Sequence, residues 1–184
     1  GAENDTIALY NISTTIPILQ HKFPHQKSSE WAAAFHPVLP LLAVGVGYHS
    51  TCIYDITTSP PTIQYRFQNH SSYVRAITFH PSLSWLATAD GNLILIYDFN
   101  VSPPTVMCRI NSAFICCIVF HPKFPLLVIE TFFFIFYKIS THCSPHFQLR
   151  LNKHVCCGKS FSFHPILLFC AIGHAFSTII YDCS

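Results

Sequence analysis

The stretch that decides the fold is residues 76–98, AITFHPSLSWLATADGNLILIYD. It contains short runs of β-branched, aromatic and other apolar residues, among them Trp85–Asp90 and Leu93–Tyr97, and turn residues separate these runs. Runs of this length between Pro, Ser, Asp and Gly are typical of β-strands and not of helices. The stretch therefore predicts an antiparallel sheet whose first strand ends at Phe79-His80-Pro81 and whose third ends at Tyr97-Asp98.

The same pattern recurs along the chain with a period of about forty residues. Phe-His-Pro occurs four times at spacings of 44, 41 and 43 residues, and a Tyr follows each motif Phe by 17 to 19 residues. The repeat residues are Phe35, His36, Pro37, Tyr54, Phe79, His80, Pro81, Tyr97, Phe120, His121, Pro122, Tyr137, Phe163, His164, Pro165 and Tyr181. Two linked motifs that stay in phase over four units predict a repeat protein with one sheet per unit.

We predict one domain over residues 1–184, with repeat units at approximately 13–56, 57–99, 100–139 and 140–184 and a leading strand at 7–12. Each sheet is expected to contain four strands, termed a to d. The predicted b strands are Leu41–Gly47, Trp85–Asp90, Leu126–Thr131 and Leu167–Gly173, and the predicted d strands are Ile16–Lys22, Ile63–Phe67, Val106–Ile110 and Phe147–Leu151. Small and large residues alternate along strand a, as expected for an innermost strand wedged between neighbouring sheets.

This arrangement resembles the WD-repeat family, whose unit runs from Gly-His through the strands to Trp-Asp. Tyr-Asp stands here where the family has Trp-Asp, and Asn69-His70 stands for one Gly-His. The resemblance implies an all-β fold, a β-propeller of four-stranded antiparallel blades with about four blades present, either alone or as part of a larger propeller. It also implies a buried network of His70 with Thr88, Asp90 and Tyr97.

Charge and hydropathy limit the function classes. The net charge is +2 and the ten Lys and Arg residues are scattered, so we expect no nucleic-acid partner. Trp31–Tyr54 and Ser160–Tyr181 are long and apolar enough to suggest membrane helices, but each contains His-Pro and fits the repeat, so we predict no membrane span. The chain does not begin with Met, and we expect either a processed chain or a piece of a longer one.

Cysteine usage bears on the compartment. The nine cysteines show no Cys-x-x-Cys spacing, which favours buried thiols and an intracellular location, cytoplasmic or nuclear. Secretion is the alternative, because Asn-x-Ser/Thr acceptors for glycosylation occur at Asn4, Asn11, Asn69 and Asn100.

Catalytic chemistry has few candidates in this sequence. The chain has eight acidic residues, of which three belong to Tyr-Asp, and it lacks a nucleophile elbow, a phosphate loop and a His-Glu-x-x-His motif. The four Phe-His-Pro histidines could form a metal-binding ring, but the sequence favours histidines that cap turns through local hydrogen bonds. We therefore predict no enzyme activity, no cofactor and no metal; a propeller enzyme or metal protein is the less favoured reading.

The remaining candidate is a surface. Because strand direction alternates, the b–c and d–a connections share one face, and this face combines polar with aromatic residues as contact surfaces do. We predict that it docks other proteins through Tyr48, His49, Asn69, His70, Tyr73, Asp90, Asn92, Phe114, Phe132, His174 and Phe176. Two alternatives stay open: the aromatics pack into neighbouring blades, or the chain is a self-associating segment that completes its ring with another copy or a companion chain.

Overall fold

Antiparallel sheets make up the regular structure of the chain. The computed structural model describes residues 7–23, 32–47, 49–140, 145–152, 161–166, 169–173 and 178–182. Within these ranges every regular element is a β-strand, and the strands form five sheets in which sequence neighbours are also neighbours in space. This succession of sheets confirms the all-β blade architecture expected from the repeat.

We number the five sheets as blades along the chain. The first blade has two strands, β1 (Ala8–Asn11) and β2 (Ile18–Lys22). The second has β3 (Ala33–Phe35), β4 (Leu41–Val46), β5 (Ser50–Asp55) and β6 (Thr62–Phe67). The third has β7 (Ala76–Phe79), β8 (Trp85–Ala89), β9 (Leu93–Asp98) and β10 (Thr105–Asn111). The fourth has β11 (Cys117–Phe120), β12 (Leu126–Glu130), β13 (Phe133–Lys138) and β14 (His146–Asn152), and the fifth has β15 (Phe161–Phe163), β16 (Phe169–Gly173) and β17 (Thr178–Asp182).

The three complete blades use their strands in the order a, b, c, d, each paired only with its neighbours. A blade takes strand d from the sequence unit that follows it. For example, β6, which lies in the unit predicted at 57–99, pairs with β5 of the second blade. The repeat in the sequence and the blade in space are therefore offset by one strand.

The core consists of apolar layers between neighbouring blades. Every residue of β4 and of β8 is buried, as expected for strands inside a stack of sheets. One apolar layer joins the third and fourth blades and includes Trp85, Ile94 and Phe120. Three of these layers contain a motif Phe that packs back onto the preceding blade: Phe79, Phe120 and Phe163.

Strands a lie innermost, as the alternation of small and large residues predicted. β7 is in contact with β3 on one side and β11 on the other, so these first strands of successive blades stand next to one another. Small residues such as Ala76 and Cys117 permit this close approach.

In the described part of the apolar stretch Trp31–Tyr54, every regular element is a β-strand. The stretch contains β3, β4 and most of β5. In the described residues, no helix has the length and hydropathy needed to cross a bilayer.

Candidate functional site

The predicted docking face includes the b–c turn of the third blade, which Asp90 organises. The Asp90 side chain is 1% exposed. Its Oδ1 accepts hydrogen bonds from the backbone N–H of Asn92 at 2.8 Å and of Leu93 at 2.7 Å. Its Oδ2 accepts bonds from the Ser71 N–H at 3.1 Å and the Ser71 hydroxyl at 3.3 Å. One carboxylate thus ties the b–c turn to the d–a connection.

His70 lies beneath this carboxylate. Its Nε2 is 2.7 Å from Thr88 Oγ1, while its Nδ1 is 3.5 Å from Asp90 Oδ2 and makes no hydrogen bond of normal length. The Asn69 amide donates to the Tyr97 hydroxyl at 3.3 Å. His70, Thr88, Asp90 and Tyr97 therefore gather in one buried cluster, as the sequence resemblance implied.

Burial and hydrogen bonding act in opposite directions on the charges of this cluster. Burial would raise the pKa of Asp90, but the N–H groups of Asn92, Leu93 and Ser71 outweigh it and lower that pKa below its usual value. Burial lowers the pKa of His70 despite the nearby Asp90 carboxylate. At neutral pH the cluster therefore contains a charged Asp90 and a neutral His70.

An aromatic pair projects from the same face at the fourth blade. Phe114, in the d–a connection, is 63% exposed, and Phe132, in the b–c turn, is 60% exposed. Their ring centroids are 4.8 Å apart with an interplanar angle of 55°. Phe114 has φ = 58°, a left-handed conformation that is rare for a bulky residue and that is often found at functional sites.

The connection that carries Phe114 is fixed to the third blade by main-chain hydrogen bonds. The Ile115 N–H donates to the Gly91 carbonyl at 3.0 Å, and the Ser112 N–H donates to the Asn92 carbonyl at 2.9 Å. Gly91 and Asn92 belong to the turn that Asp90 holds. The Phe114 connection is therefore held by the turn that the buried Asp90 carboxylate organises.

Sequence comparison identifies the unit around this cluster. Residues 61–98 match the family model described as "WD domain, G-beta repeat". The chain carries a WD40 repeat. The match runs from strand d of the second blade through strand c of the third and includes His70, Asp90 and Tyr97.

Solved structures give the same fold for nearly the whole chain. Saccharomyces cerevisiae Sqt1 aligns with 17% identity and a TM-score of 0.71 over 88% of this chain and 47% of its own. A chain of the mitotic checkpoint complex aligns with 13% identity and a TM-score of 0.76 over 96% and 56%. The β-propeller domain of Myceliophteria thermophila Cps50 (Swd1) aligns with 13% identity and a TM-score of 0.76 over 97% and 64%.

These likenesses show the β-propeller fold and leave the function open. The chain spans between 47% and 64% of the length of the three solved chains. No curated protein sequence matches it.

The structure sorts the residues predicted for the docking face into three groups. His70 and Asp90 are buried, so they support the WD40 turn and do not form part of its exposed surface. The residues that are exposed or half-buried there are His49, Asn69, Tyr73, Asn92, Phe114 and Phe132. Tyr48, His174 and Phe176 lie outside the described residues.

Sequence reasoning missed Ser71, whose N–H and hydroxyl both bind Asp90. Ser is common in connections, so its identity gave no signal. Its position directly after His70 could have suggested the contact, because a residue next to a buried His must enter the same turn.

The Phe-His-Pro histidines occupy the opposite face, in the a–b turns. In three turns the ring Nδ1 accepts two backbone N–H bonds: from Val38 and Leu39 for His36, from Ser82 and Leu83 for His80, and from Lys123 and Phe124 for His121. His164 Nδ1 accepts the Ile166 N–H at 3.2 Å. These local bonds cap the turns and use the Nδ1 lone pair that a metal would need.

The described part of the chain offers little support for a metal site or a small-ligand site. No group of three or more His, Cys, Asp or Glu side chains in it has the arrangement to hold a metal ion. A cleft of about 330 Å³ is lined by Phe124, Pro125, Leu126, Lys138 and Gln148. Another of about 350 Å³ lies on the fifth blade and is lined mainly by apolar side chains, including Phe163 and Ile180.

Proposed function

We propose that this WD-repeat chain is a protein-interaction scaffold that docks partners on the face formed by its b–c and d–a connections. The observation that carries the proposal is the exposed Phe114–Phe132 pair, which is placed on a rigid, hydrogen-bonded support. Large exposed aromatics on a fixed backbone are typical interaction hot spots, because they bury much apolar area and lose little conformational entropy. One of the similar structures belongs to a protein assembly, the mitotic checkpoint complex.

The proposal assigns no reaction to the chain. Three of its carboxylates are used in turns: Asp90 as described, Asp55 by accepting the Thr57 N–H at 2.8 Å, and Asp98 by accepting the Asn100 N–H at 2.8 Å. A general acid or base needs a carboxyl group that is free to exchange a proton with substrate. These three carboxylates act as turn acceptors instead.

We further propose an intracellular location, cytoplasmic or nuclear. In the described ranges Cys52, Cys108, Cys116 and Cys117 are free thiols, and Cys52 and Cys108 among them are buried. Burial raises the pKa of Cys108 to about 11, so this thiol stays protonated and unreactive at neutral pH. Buried reduced thiols of this kind are typical of proteins in reducing compartments.

Partner capture tests the docking face. We expect Phe114→Ser combined with Phe132→Ser to remove proteins that co-purify with the wild type, because the anchor area is lost. The matched control is Val38→Ser with Val101→Ser, which removes exposed apolar side chains from the a–b and c–d turns. Quantitative mass spectrometry of each pull-down is the measurement. If the Phe double variant folds and retains the wild-type set of partners, this face is not the docking surface.

Self-association is a second candidate, favoured by a comparison of equivalent positions in different blades. Phe35 is 58% exposed, whereas the equivalent Phe79 and Phe120 are 7% and 3% exposed. Ile180 is 72% exposed, whereas Ile53 and Ile96 at its position are fully buried. Phe35 and Ile180 are thus exposed, although the equivalent residues of other blades are buried between blades. We propose that a second copy or a companion chain covers these two side chains.

Sedimentation velocity tests self-association. We expect the wild type to form a concentration-dependent dimer or larger species at tens of micromolar, and Phe35→Ser with Ile180→Ser to shift the distribution toward the monomer. These side chains are exposed, so the substitutions leave the fold intact. A wild type that stays monomeric over the whole concentration range would remove self-association from consideration.

A further inference from the structure

Two buried histidines in adjacent a–b turns share one unusual environment. His80 and His121 both have fully buried side chains. Each Nδ1 lies 3.0–3.1 Å from the two backbone nitrogens that donate to it: Ser82 and Leu83 for His80, and Lys123 and Phe124 for His121. A nitrogen that accepts N–H bonds cannot itself carry a hydrogen, so in this geometry the hydrogen of each ring lies on Nε2.

The second ring nitrogen of His80 reaches across to the next blade. In the neutral form Nε2–H donates to the Phe124 carbonyl at 3.0 Å, a bond that joins the third blade to the a–b turn of the fourth. Aromatic contacts follow the same path: the His80 ring lies 5.1 Å from Phe120, and the His121 ring lies 4.7 Å from Phe163 of the fifth blade. The motif His of one blade therefore packs on the motif Phe of the next.

Phe124 connects the two histidines through its own peptide groups. Its carbonyl accepts from His80, and its N–H donates to His121. Protonation of His80 places a hydrogen on Nδ1, where it faces the N–H groups of Ser82 and Leu83 and abolishes two acceptor bonds. A shift of the His80 ring also breaks its bond to the Phe124 carbonyl, and Phe124 carries one of the N–H groups that hold the His121 turn. The two turns are therefore coupled.

We propose that His80, His121 and Phe124 form an acid-sensitive link between neighbouring blades, which opens when the His80 imidazole is protonated. Opening removes the hydrogen bond between the third and fourth blades and exposes the edge of the layer around Trp85 and Phe120. The link lies on the face opposite the proposed docking surface, so the inference stands independently of the proposed function.

Other titratable groups lie on the elements packed around the link. The elements packed on His80 carry Asp98 at the end of β9, Cys117 on β11, and Lys123 beside His121 in the fourth-blade turn; those around His121 add Glu130, Lys138 and His164. Burial lowers the pKa of His80, against the opposing effect of its bond to Phe124, and the nearby His121 adds to the lowering.

The sign of the pH effect follows from this shift. Because the folded pKa of His80 lies below the unfolded value of 6.5, the unfolded or opened form binds a proton more readily. The contribution of the link is fully present above pH 6.5 and is lost as the pH falls through 6.5 toward the folded pKa. Asp90 has a lowered pKa and stays charged in this window, so its turn should keep its hydrogen bonds.

Amide hydrogen exchange at about pH 7.5 and about pH 5.0, corrected for the intrinsic rate, tests the link. We expect the protection factors of the Ser82, Leu83, Lys123 and Phe124 N–H groups to fall severalfold at the lower pH. The Asn92 and Leu93 N–H groups, which Asp90 accepts, serve as internal controls and should keep their protection. The proposal is overturned if both sets of N–H groups lose protection equally, or if the Ser82, Leu83, Lys123 and Phe124 groups lose none.

A second experiment uses an acceptor that does not titrate. Asn in place of His80 can accept an N–H two residues on, as Asp55 and Asp98 do, but remains uncharged at pH 5. We expect His80→Asn to reduce the acid-induced loss of protection at Lys123 and Phe124, whereas His36→Asn, in a half-buried turn of the same type, should leave it unchanged. If the two variants behave alike, His80 is not part of an acid-sensitive link. Should His80→Asn fail to fold, the wild-type exchange data decide alone.

Discussion

Phe120→Ala should lower the free energy of unfolding by about 3–5 kcal/mol, the range for truncating a fully buried aromatic. Phe120 is 3% exposed and lies in the apolar layer between the third and fourth blades. Its ring centroid is 6.4 Å from that of Trp85 and 5.1 Å from that of His80. Removing it leaves a cavity that two stacked sheets cannot easily close, because their backbones are fixed by strand pairing.

The repeat supplies a matched control for this substitution. Phe35 has the same position in its Phe-His-Pro motif but is 58% exposed. We expect Phe35→Ala to cost no more than about 1 kcal/mol, since little buried contact is lost. Urea unfolding of both variants gives the comparison. Similar losses in the two variants would contradict the view that the motif Phe stabilises the protein by packing onto the preceding blade.

Asp90→Ala is expected to lower the free energy of unfolding by about 3 kcal/mol or more. The substitution removes the acceptor for three backbone N–H groups, of Ser71, Asn92 and Leu93, and for the Ser71 hydroxyl. Alanine cannot replace these bonds, and a buried donor without a partner costs about 1–3 kcal/mol. His70 would also lose the charge that lies 3.5 Å from its Nδ1.

Asp98→Ala is the control for Asp90→Ala. Asp98 also accepts hydrogen bonds in a turn, from the Asn100 N–H and side-chain amide at 2.8 Å, but these groups are exposed. Water can replace the lost acceptor there, so we expect a loss of about 0.5–1 kcal/mol. Urea unfolding measures both. If Asp90→Ala costs no more than Asp98→Ala, the buried carboxylate does not organise the face.

Substitution of Asp90 should also disturb the proposed docking surface. The Phe114 connection hydrogen-bonds to Gly91 and Asn92, which belong to the turn that Asp90 holds. A variant at Asp90 therefore tests the support of the aromatic pair, while variants at Phe114 and Phe132 test the pair itself. Comparing them separates a loss of contact residues from a loss of their positioning.

Much of the fold could be predicted because the repeat is visible in the local sequence pattern. The predicted b strands at Leu41, Trp85 and Leu126 begin at the residues where β4, β8 and β12 begin. The cluster around His70 was also predictable, since Asn69-His70, Asp90 and Tyr97 keep their spacing. Periodicity specifies strand identity and order, because side chains alternate and turns fall at fixed intervals.

The candidate face was only partly predictable. The sequence placed Asp90 and Asn92 side by side on the same connection, but it could not tell that Asp90 is buried while Asn92 is exposed. It also could not foresee that Phe114 and Phe132, which come from different connections, meet at 4.8 Å. Such contacts depend on how far each turn projects, and local pattern does not encode this.

By itself, the sequence determined that this protein is a series of antiparallel sheets with a forty-residue period and one WD-type hydrogen-bonded cluster. Only the tertiary structure decided which copies of each motif are buried. Phe35 and Phe120 occupy the same motif position, yet one is 58% exposed and the other 3%. The physical reason is that burial depends on the neighbouring blade: a motif Phe is covered only where the strands before it complete the opposing sheet.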